Sequence, residues 1–300
     1  MAFTRISLLY NPKAGGLRNS IDNVNRLVTA LARQGIKLSE AQVCATVSCE
    51  DATRLAREAV AEQADLLIVC GGDGTINEAA QALVGSNTAL AILPSGTANV
   101  LAKELTLPRS PEELARLIVQ GRTREISVGR ASKPDGHWSR YFILMAGIGL
   151  DASIIAAVNP EQKKQWGIGS YIAAGLKTLT QWRLHPFSLN VNEKKYEATF
   201  AIVANAANYA AWFTIAPNSQ MEDEHLDICI FKSHSRLMYL GYAFLSLFGA
   251  HTLSPDVIYK PITETYANTS NTTPVQLDGE LVGSLPMRFE CVPHALRIVA

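Results

Sequence analysis

The chain lacks an excess of charge of either sign: 27 Lys and Arg stand against 27 Asp and Glu in 300 residues. No whole-chain field draws it to a polyanion, so a nucleic-acid role is disfavoured. Cysteine is scarce. The five present (Cys44, Cys49, Cys70, Cys229, Cys291) are odd in number and form no C-x-x-C pair, which argues against a disulfide framework and a cysteine zinc site. Six histidines are scattered without ligand spacing and receive no catalytic role. Solenoid repeats, low-complexity tracts and a Pro/Ser-rich linker are missing too. Residues 1–10 lack the long apolar run of an export signal before the chain turns polar at Asn11, so a cytoplasmic location is expected. Residues 237–255 contain no Asp, Glu, Lys or Arg and approach the roughly 20 residues that cross a bilayer. Gly241, Ser246, Gly249, His251 and Ser254 interrupt that run and Pro255 closes it, which favours a buried or membrane-surface helix over a spanning one.

Hydrophobic residues make up 48% and charged residues 18%, enough to bury a sizeable core. Residues 5–10 read as a strand that ends at Asn11-Pro12-Lys13-Ala14-Gly15-Gly16. A helix follows, with Ile21, Val24, Leu27, Val28 and Leu31 at helical spacing, Ser20 as its N-cap and Gly35 as its stop. The unit repeats: a short strand over 42–46, then Ser48 and Asp51 at capping-box spacing ahead of a second helix. Leu66-Leu67-Ile68-Val69-Cys70 has no polar alternation, as expected of a parallel strand covered on both faces. A third helix, a strand over 90–93, and a helix with Ser110 at N-cap, Pro111 at N1 and Glu113 at N3 complete an open α/β domain reaching to about 127. Beyond it the texture changes to strand candidates over 125–130, 139–146, 187–191, 196–204, 226–232, 257–266, 274–278 and 286–291. Helix is left only at 170–182 and from Leu237, so a largely antiparallel β domain is expected.

Strand-to-helix turns carry the chemistry. Gly71-Gly72-Asp73-Gly74-Thr75 follows the third strand directly, where backbone N–H groups at a helix start face an anion. An acid in that turn would repel a bare phosphate unless a divalent cation lay between, so Asp73 suggests a Mg²⁺-nucleotide; the alternative is a tight turn whose Asp caps a helix. Pro94-Ser95-Gly96-Thr97-Ala98-Asn99 follows the fourth strand and Asn11 to Gly16 the first, so three loops should converge at the carboxyl edge of the sheet. The P-loop pattern with its lysine is absent. Far along the chain, Leu277-Asp278-Gly279-Glu280 places two carboxylates around a glycine; on a regular strand both would point to one face. They read either as an Asp-Gly hairpin turn with solvated acids or as a base and an orienting or metal carboxylate for phosphoryl transfer to a hydroxyl.

Taken in order, Asn11-Pro12-Lys13-Ala14-Gly15, Gly71-Gly72-Asp73-Gly74-Thr75-Ile76-Asn77-Glu78, Pro94-Ser95-Gly96-Thr97-Ala98-Asn99 and Asp278-Gly279-Glu280 resemble the diacylglycerol kinase catalytic-domain family, which includes bacterial lipid kinases and the sphingosine and ceramide kinases. Gly147-Ile148-Gly149-Leu150-Asp151-Ala152 and the stretch from Ala216-Pro217 to Leu226-Asp227 add to the likeness. The resemblance implies a Rossmann-like, NAD kinase/diacylglycerol kinase-like domain over 1–127, to which a C-terminal strand at about 293–300 returns. It implies a β-sandwich lipid-substrate domain over 128–292, with the nucleotide in the cleft between the two. It further implies ATP contacts at Asn11, Pro12, Lys13, Ala14, Gly15, Thr46, Gly71, Gly72, Asp73, Gly74, Thr75, Ile76, Asn77 and Thr97. Glu280 falls at the position of the proton acceptor, with Asp278 beside it, and a structural Mg²⁺ maps to Gln220, Asp223 and the carbonyl of His225. Three departures stand out: Ala210-Ala211-Trp212 where relatives often carry a triple glycine, Asp223-Glu224 for the usual Asp-Gly, and Ser127 where many relatives place an Asp.

The expected activity is ATP-dependent phosphorylation of a lipid hydroxyl, diacylglycerol first and a ceramide or sphingoid base next. The expected partner is a lipid substrate at a membrane surface, met by transient peripheral contact, and the oligomeric state is open between monomer and homodimer. An acyl chain resists leaving a bilayer by about 0.8 kcal/mol per methylene, so an apolar groove is needed; candidates are residues 142–145, 171–179 and 239–248. NAD kinase shares the Gly-Gly-Asp-Gly-Thr turn but differs at the second loop. A catalytically silent nucleotide or lipid binder is the alternative from another class, disfavoured by the retained acids Asp73, Asp278 and Glu280.

Overall fold

Apolar runs in the first half become four parallel strands, β1 (Ile6–Tyr10), β2 (Val43–Ala45), β3 (Leu66–Gly71) and β4 (Ala89–Pro94), in the order β2-β1-β3-β4. The computed structural model describes residues 3–14, 17–48, 50–157, 185–209 and 213–300. The chain divides into two units, residues 1–126 with 294–300, and residues 127–293.

In the first unit the strands alternate with α1 (Leu17–Arg33), α2 (Asp51–Ala61), α3 (Asp73–Leu83), α4 (Val100–Glu104) and α5 (Pro111–Gln120). Leu27 and Leu31 of α1 and Leu114 and Ile118 of α5 pack on Leu8, Leu66, Ile68 and Ala91. The opposite residues of the same strands, Leu67, Val69, Leu90 and Ile92, are equally buried, and α2 and α3 lie on that side. Burial on both faces is why β3 reads as an unbroken apolar run. Helix α5 starts and stops where its signals fall: Ser110 accepts the Glu113 N–H at 3.2 Å, Pro111 is the first helical residue, and Gly121 ends it with φ 68°. Ser20 is a correction. It lies inside α1, not at its cap, and its hydroxyl donates to the Asn11 carbonyl at 2.9 Å.

The second unit is an antiparallel sandwich. The hairpin β5 (Thr123–Ser132) and β6 (Ser139–Phe142) leads into β7 (Met145–Ile148), α6 (Leu150–Ala157), β8 (Phe187–Val191), β9 (Lys194–Ala198) and β10 (Phe200–Ala204). The short pair β11 (Asn208–Tyr209) and β12 (Phe213–Thr214) precedes β13 (Leu226–Phe231), α7 (Arg236–Ser246), β14 (Val257–Ile262) and β15 (Glu264–Asn268). Then come β16 (Pro274–Leu277), β17 (Glu280–Ser284) and the long β18 (Met287–Val299), whose far end joins β4 in parallel at Ile298. One sheet runs β14-β13-β10-β7-β16-β17; the opposing strands include β9-β8-β15 and the near end of β18. Phe142, Phe187, Leu189, Val203, Ile228, Met287 and Phe289 fill the space between.

Three of the expected strands are each two. The chain breaks at Ile143-Leu144, at Thr199 and at Thr263, where β6 gives way to β7, β9 to β10 and β14 to β15. At every break it passes from one sheet of the sandwich to the other, as corners do. The expected helix over 170–182 and the groove candidate over 171–179 lie outside the described residues. Residues 142–145 are core, each less than a tenth exposed, and not the wall of a groove. The uncharged run from Leu237 forms α7 and a 3₁₀ turn (Ala250–Leu253); among the described residues no helix is long and apolar enough to cross a membrane. Cys44, Cys70, Cys229 and Cys291 are free thiols.

Candidate active site

Register brings the loops of the first unit together. Tyr10 pairs with Cys70, and Gly71 with Pro94, so β1, β3 and β4 end level and their following loops share one edge. The Asn11 N–H donates to the Cys70 carbonyl at 2.9 Å and its side-chain amide to Thr75 Oγ1 at 3.2 Å, while Ser95 N–H donates to the Gly71 carbonyl at 2.9 Å. Thr46, after β2, is buried and donates its N–H to the Tyr10 carbonyl at 2.9 Å. Lys13 N–H meets Asn11 Oδ1 at 2.9 Å and Ala14 N–H the Asn11 carbonyl at 3.1 Å, which closes the first loop around Pro12. Gly15 lies outside the described residues.

The two glycine loops touch through their main chains. A Cβ on Gly96 would stand 2.6 Å from the Gly72 Cα and 2.9 Å from Asn99 Oδ1, and one on Gly71 would stand 2.7 Å from the Thr75 Cβ. These glycines are required by close approach, not by a left-handed backbone. Asn99, at φ 48°, locks the second loop by accepting the Gly96 N–H at 2.9 Å and donating to its carbonyl at 2.8 Å. Asp73 Oδ1 accepts the Val100 N–H at 2.8 Å, so this acid caps α4 across the loop interface. Burial pushes its carboxyl up, and the backbone N–H groups of Leu101, Val100 and Asn99 pull it back.

The first turn of α3, which starts directly after β3, has no side-chain cap, and its first N–H groups have no acceptors inside their own helix. The Ser95 hydroxyl is buried without a hydrogen-bond partner among the described residues. Orphaned donors over a cradle that a single Cβ would fill match the oxygen-rich surface of a phosphate. Gly74, in the first turn of α3, and Thr97, in the second loop, are exposed, whereas Ile76 and Asn77 of α3 are buried.

In the second unit, Leu277 and Glu280 pair across a two-residue turn whose residues Asp278 and Gly279 both have positive φ, 47° and 90°. That is the geometry of a type I′ hairpin. The Asp-Gly hairpin turn, one of the two readings the sequence allows, is the conformation formed, and it separates the two acids. Asp278 Oδ2 accepts the Ile143 N–H at 2.7 Å, and its Oδ1 accepts the Leu144 and Met145 N–H groups, each at 2.9 Å. It caps the corner between β6 and β7. Glu280 opens β17 with its side chain 45% exposed, 2.9 Å from Arg140 Nη2, so it is the acid of the pair whose carboxylate faces solvent.

Of the residues expected around a structural cation, Gln220, Asp223 and His225, the Asp223 carboxylate is the one acid. Asp223 Oδ2 takes the Gln220 N–H at 3.3 Å and lies 3.7 Å from His225 Nε2, so its charge faces nitrogen groups. Among the described residues no three His, Cys, Asp or Glu side chains gather as a metal site. Ser127 fastens this loop instead, by its N–H to the Met221 carbonyl at 2.7 Å and its hydroxyl to the Asp223 carbonyl at 2.6 Å. Residues 210–212 are outside the described residues.

Sequence reasoning gave Asp151 no role. Fully buried at the start of α6, it is bonded by the Tyr209 hydroxyl and by Gln276 Nε2, the latter at 2.5 Å. Gln276 Oε1 in turn accepts the Gly279 N–H at 2.7 Å, so the acid steadies the hairpin turn. A Cβ at Gly147 would stand 1.9 Å from its Oδ2, which explains the glycine. An acid placed just after an apolar strand was the available signal. Burial drives its carboxyl up to about 6 despite the two hydrogen bonds. A raised carboxyl means the ionised form costs stability above that value and the cost is relieved as pH falls through it. Urea unfolding at pH 7 and pH 5 should show wild type gaining on the order of 1 kcal/mol relative to Asp151→Asn on acidification. Equal pH dependence in the two proteins would remove the titration from Asp151.

Comparison with known proteins agrees with this architecture. The family model described as "Diacylglycerol kinase catalytic domain" matches residues 5–131, and that described as "YegS C-terminal NAD kinase beta sandwich-like domain" matches residues 145–300. The chain is 30% identical to a diacylglycerol kinase of Mycobacterium tuberculosis (strain ATCC 25618 / H37Rv) over 302 residues, 98% of this chain and 94% of that protein. It is 28% identical to a diacylglycerol kinase of Bacillus subtilis (strain 168) over 300 residues, 98% of this chain and 96% of that one. A solved Bacillus anthracis str. Sterne protein described as a candidate diacylglycerol kinase superposes with a TM-score of 0.81 at 27% identity, covering 100% of this chain and 96% of the other.

Proposed function

The chain belongs to the diacylglycerol kinase family, phosphotransferases with an alcohol acceptor, and from that premise we propose that it transfers the γ-phosphate of ATP to a lipid hydroxyl, with diacylglycerol as acceptor and phosphatidic acid as product. The observation that carries the proposal is the main-chain contact of Gly72 with Gly96 beside the orphaned Ser95 hydroxyl, a cradle suited to phosphate oxygens. In this reading the loops led by Asn11, Gly71 and Ser95 hold the triphosphate, with Gly74 and Thr97 at its exposed rim. Mg²⁺, when bound with ATP, supplies charge neutralisation at the phosphates, and Asp73 is the carboxylate that the loop offers it. Glu280 takes the proton of the acceptor hydroxyl as that oxygen bonds to the γ-phosphorus. The bond from phosphorus to the β–γ bridging oxygen breaks, and ADP leaves with the electron pair. Asp278 acts by holding the corner and the turn that present Glu280.

A ceramide or sphingoid base offers the same hydroxyl beside an apolar tail. NAD kinase is the reading suggested by the shared Gly-Gly-Asp-Gly-Thr turn, and the second loop, Ser95-Gly96-Thr97-Ala98-Asn99, speaks against it. Radiolabelled ATP offered to diacylglycerol, ceramide and a sphingoid base in mixed micelles, and to NAD in solution, decides among them. The expected result is label in phosphatidic acid; label in NADP, or in no lipid, would overturn the proposal. We place the reaction at the cytoplasmic membrane surface, since the acceptor resides in a bilayer.

A further inference from the structure

Helix α7 is apolar on both sides. Its inner face is fully engaged: Tyr239 and Tyr242 are buried, their rings 5.4 Å apart edge to face. Phe231 lies 5.2 Å from Tyr242 and stacks on His251 of the 3₁₀ turn at 5.9 Å. Tyr239 also bonds the Thr199 hydroxyl at the corner between β9 and β10. The helix is therefore seated firmly, and its other side is not a core face lacking its core. That other side carries Leu237, Leu240, Phe244 and Leu247 along one stripe, with Phe248 and Leu253 beyond, exposed by 77, 44, 63, 42, 73 and 84%. Among the described residues, the exposed large apolar side chains elsewhere (Ile21, Val47, Val119 and Leu281) are scattered, whereas these, with Met238, follow one another along one stretch.

The charges around the stripe say what it meets. Residues 237–255 carry no Asp or Glu, while Lys232 and Arg236 stand at the N-terminal end of the helix. Asp256 follows the run, its carbonyl accepting the Lys232 N–H at 3.0 Å, so the border holds two cations and one carboxylate while the stripe itself holds none, a balance that complements an anionic lipid surface. Eleven helical residues span about 16 Å, too short to cross a bilayer, so the helix lies in its plane. We propose that the outer face of α7 and the 3₁₀ turn after it is the element by which this protein inserts into an anionic bilayer, Leu237, Phe244, Phe248 and Leu253 entering the acyl boundary and Lys232 and Arg236 meeting the headgroups. The inference rests on the lipid-kinase reading for the reason a bilayer is met at all, but not for its test.

The full chain is sedimented, without nucleotide, with vesicles of phosphatidylcholine containing phosphatidylglycerol. Leu237→Ser/Phe244→Ser/Phe248→Ser should bind about 100-fold more weakly than wild type, since three mostly exposed large apolar groups no longer enter lipid. A Phe248→Trp variant, which leaves the stripe intact, should be quenched by brominated acyl chains in the same vesicles. Equal vesicle binding by wild type and the triple variant, or no quenching of Phe248→Trp, would overturn the proposal. So would a wild-type dimer that the triple variant breaks while vesicle binding persists, because the face would then belong to a second copy. Vesicle binding lost with the stripe while no lipid accepts phosphate would leave the anchor standing and sink the kinase reading; the reverse pair would do the opposite.

Discussion

Glu280→Gln should lower turnover about 10²–10⁴-fold, the range lost when a general base is removed, while ATP binding and folding stability stay near wild type. The expectation follows from how the structure divides labour in the acidic hairpin. Glu280 pairs with the Arg140 side chain at 2.9 Å and its carboxylate is 45% exposed, open to solvent where a hydroxyl proton can reach it. Glutamine keeps the length and an oxygen for Arg140 but cannot take the proton. Steady-state transfer to diacylglycerol, nucleotide titration calorimetry and urea unfolding on the same preparation separate the three quantities. Turnover within a few-fold of wild type would remove Glu280 from the proton path. A fall in turnover matched by a fall in stability would mean the variant had disturbed the sandwich instead.

Much of the first unit was legible in the sequence because its signals are local. Unbroken apolar runs mark β3 and β4, and Ser110, Pro111, Glu113 and Gly121 punctuate α5 within a dozen residues. Loop convergence was legible for a topological reason, since parallel strands deliver their following turns to one edge. What those loops do to each other was not: Asp73 caps α4 rather than its own helix, a contact across 27 positions. Ser20 misled because a serine before an apolar stripe is also what a hydroxyl reaching back to Asn11 requires. In the second unit the strand content was legible and its breaks were not. Ile143 and Leu144 are apolar and buried, so nothing in their own chemistry announces a corner. The corner is made by Asp278, more than 130 positions later, and by Asn205, whose amide donates to the Ile143 and Ser127 carbonyls at 2.8 Å each. Asp151 escaped for the same reason, because its partners Tyr209 and Gln276 are distant in sequence.

Asp278→Ala should destabilise the second unit by about 3–5 kcal/mol, an effect on folding rather than on the proton path. Three backbone N–H groups at a corner of buried residues lose one carboxylate acceptor together, and an unsatisfied buried donor costs about 1–3 kcal/mol. Alanine also lacks the tolerance of aspartate for the left-handed backbone, φ 47°, that the turn imposes. Asp278→Asn should fall between, because the amide oxygen can keep the Leu144 and Met145 donors while its nitrogen confronts the Ile143 N–H. Asp278→Gly would relieve the backbone but not the donors, so it should resemble alanine. Urea unfolding of the three variants beside Glu280→Gln gives the ordering, and transfer assays at temperatures where each remains folded give the catalytic share. Should Asp278→Ala be as stable as wild type while losing turnover as fully as Glu280→Gln, the corner would not depend on this carboxylate, and the two acids would have to be read again as one reactive pair.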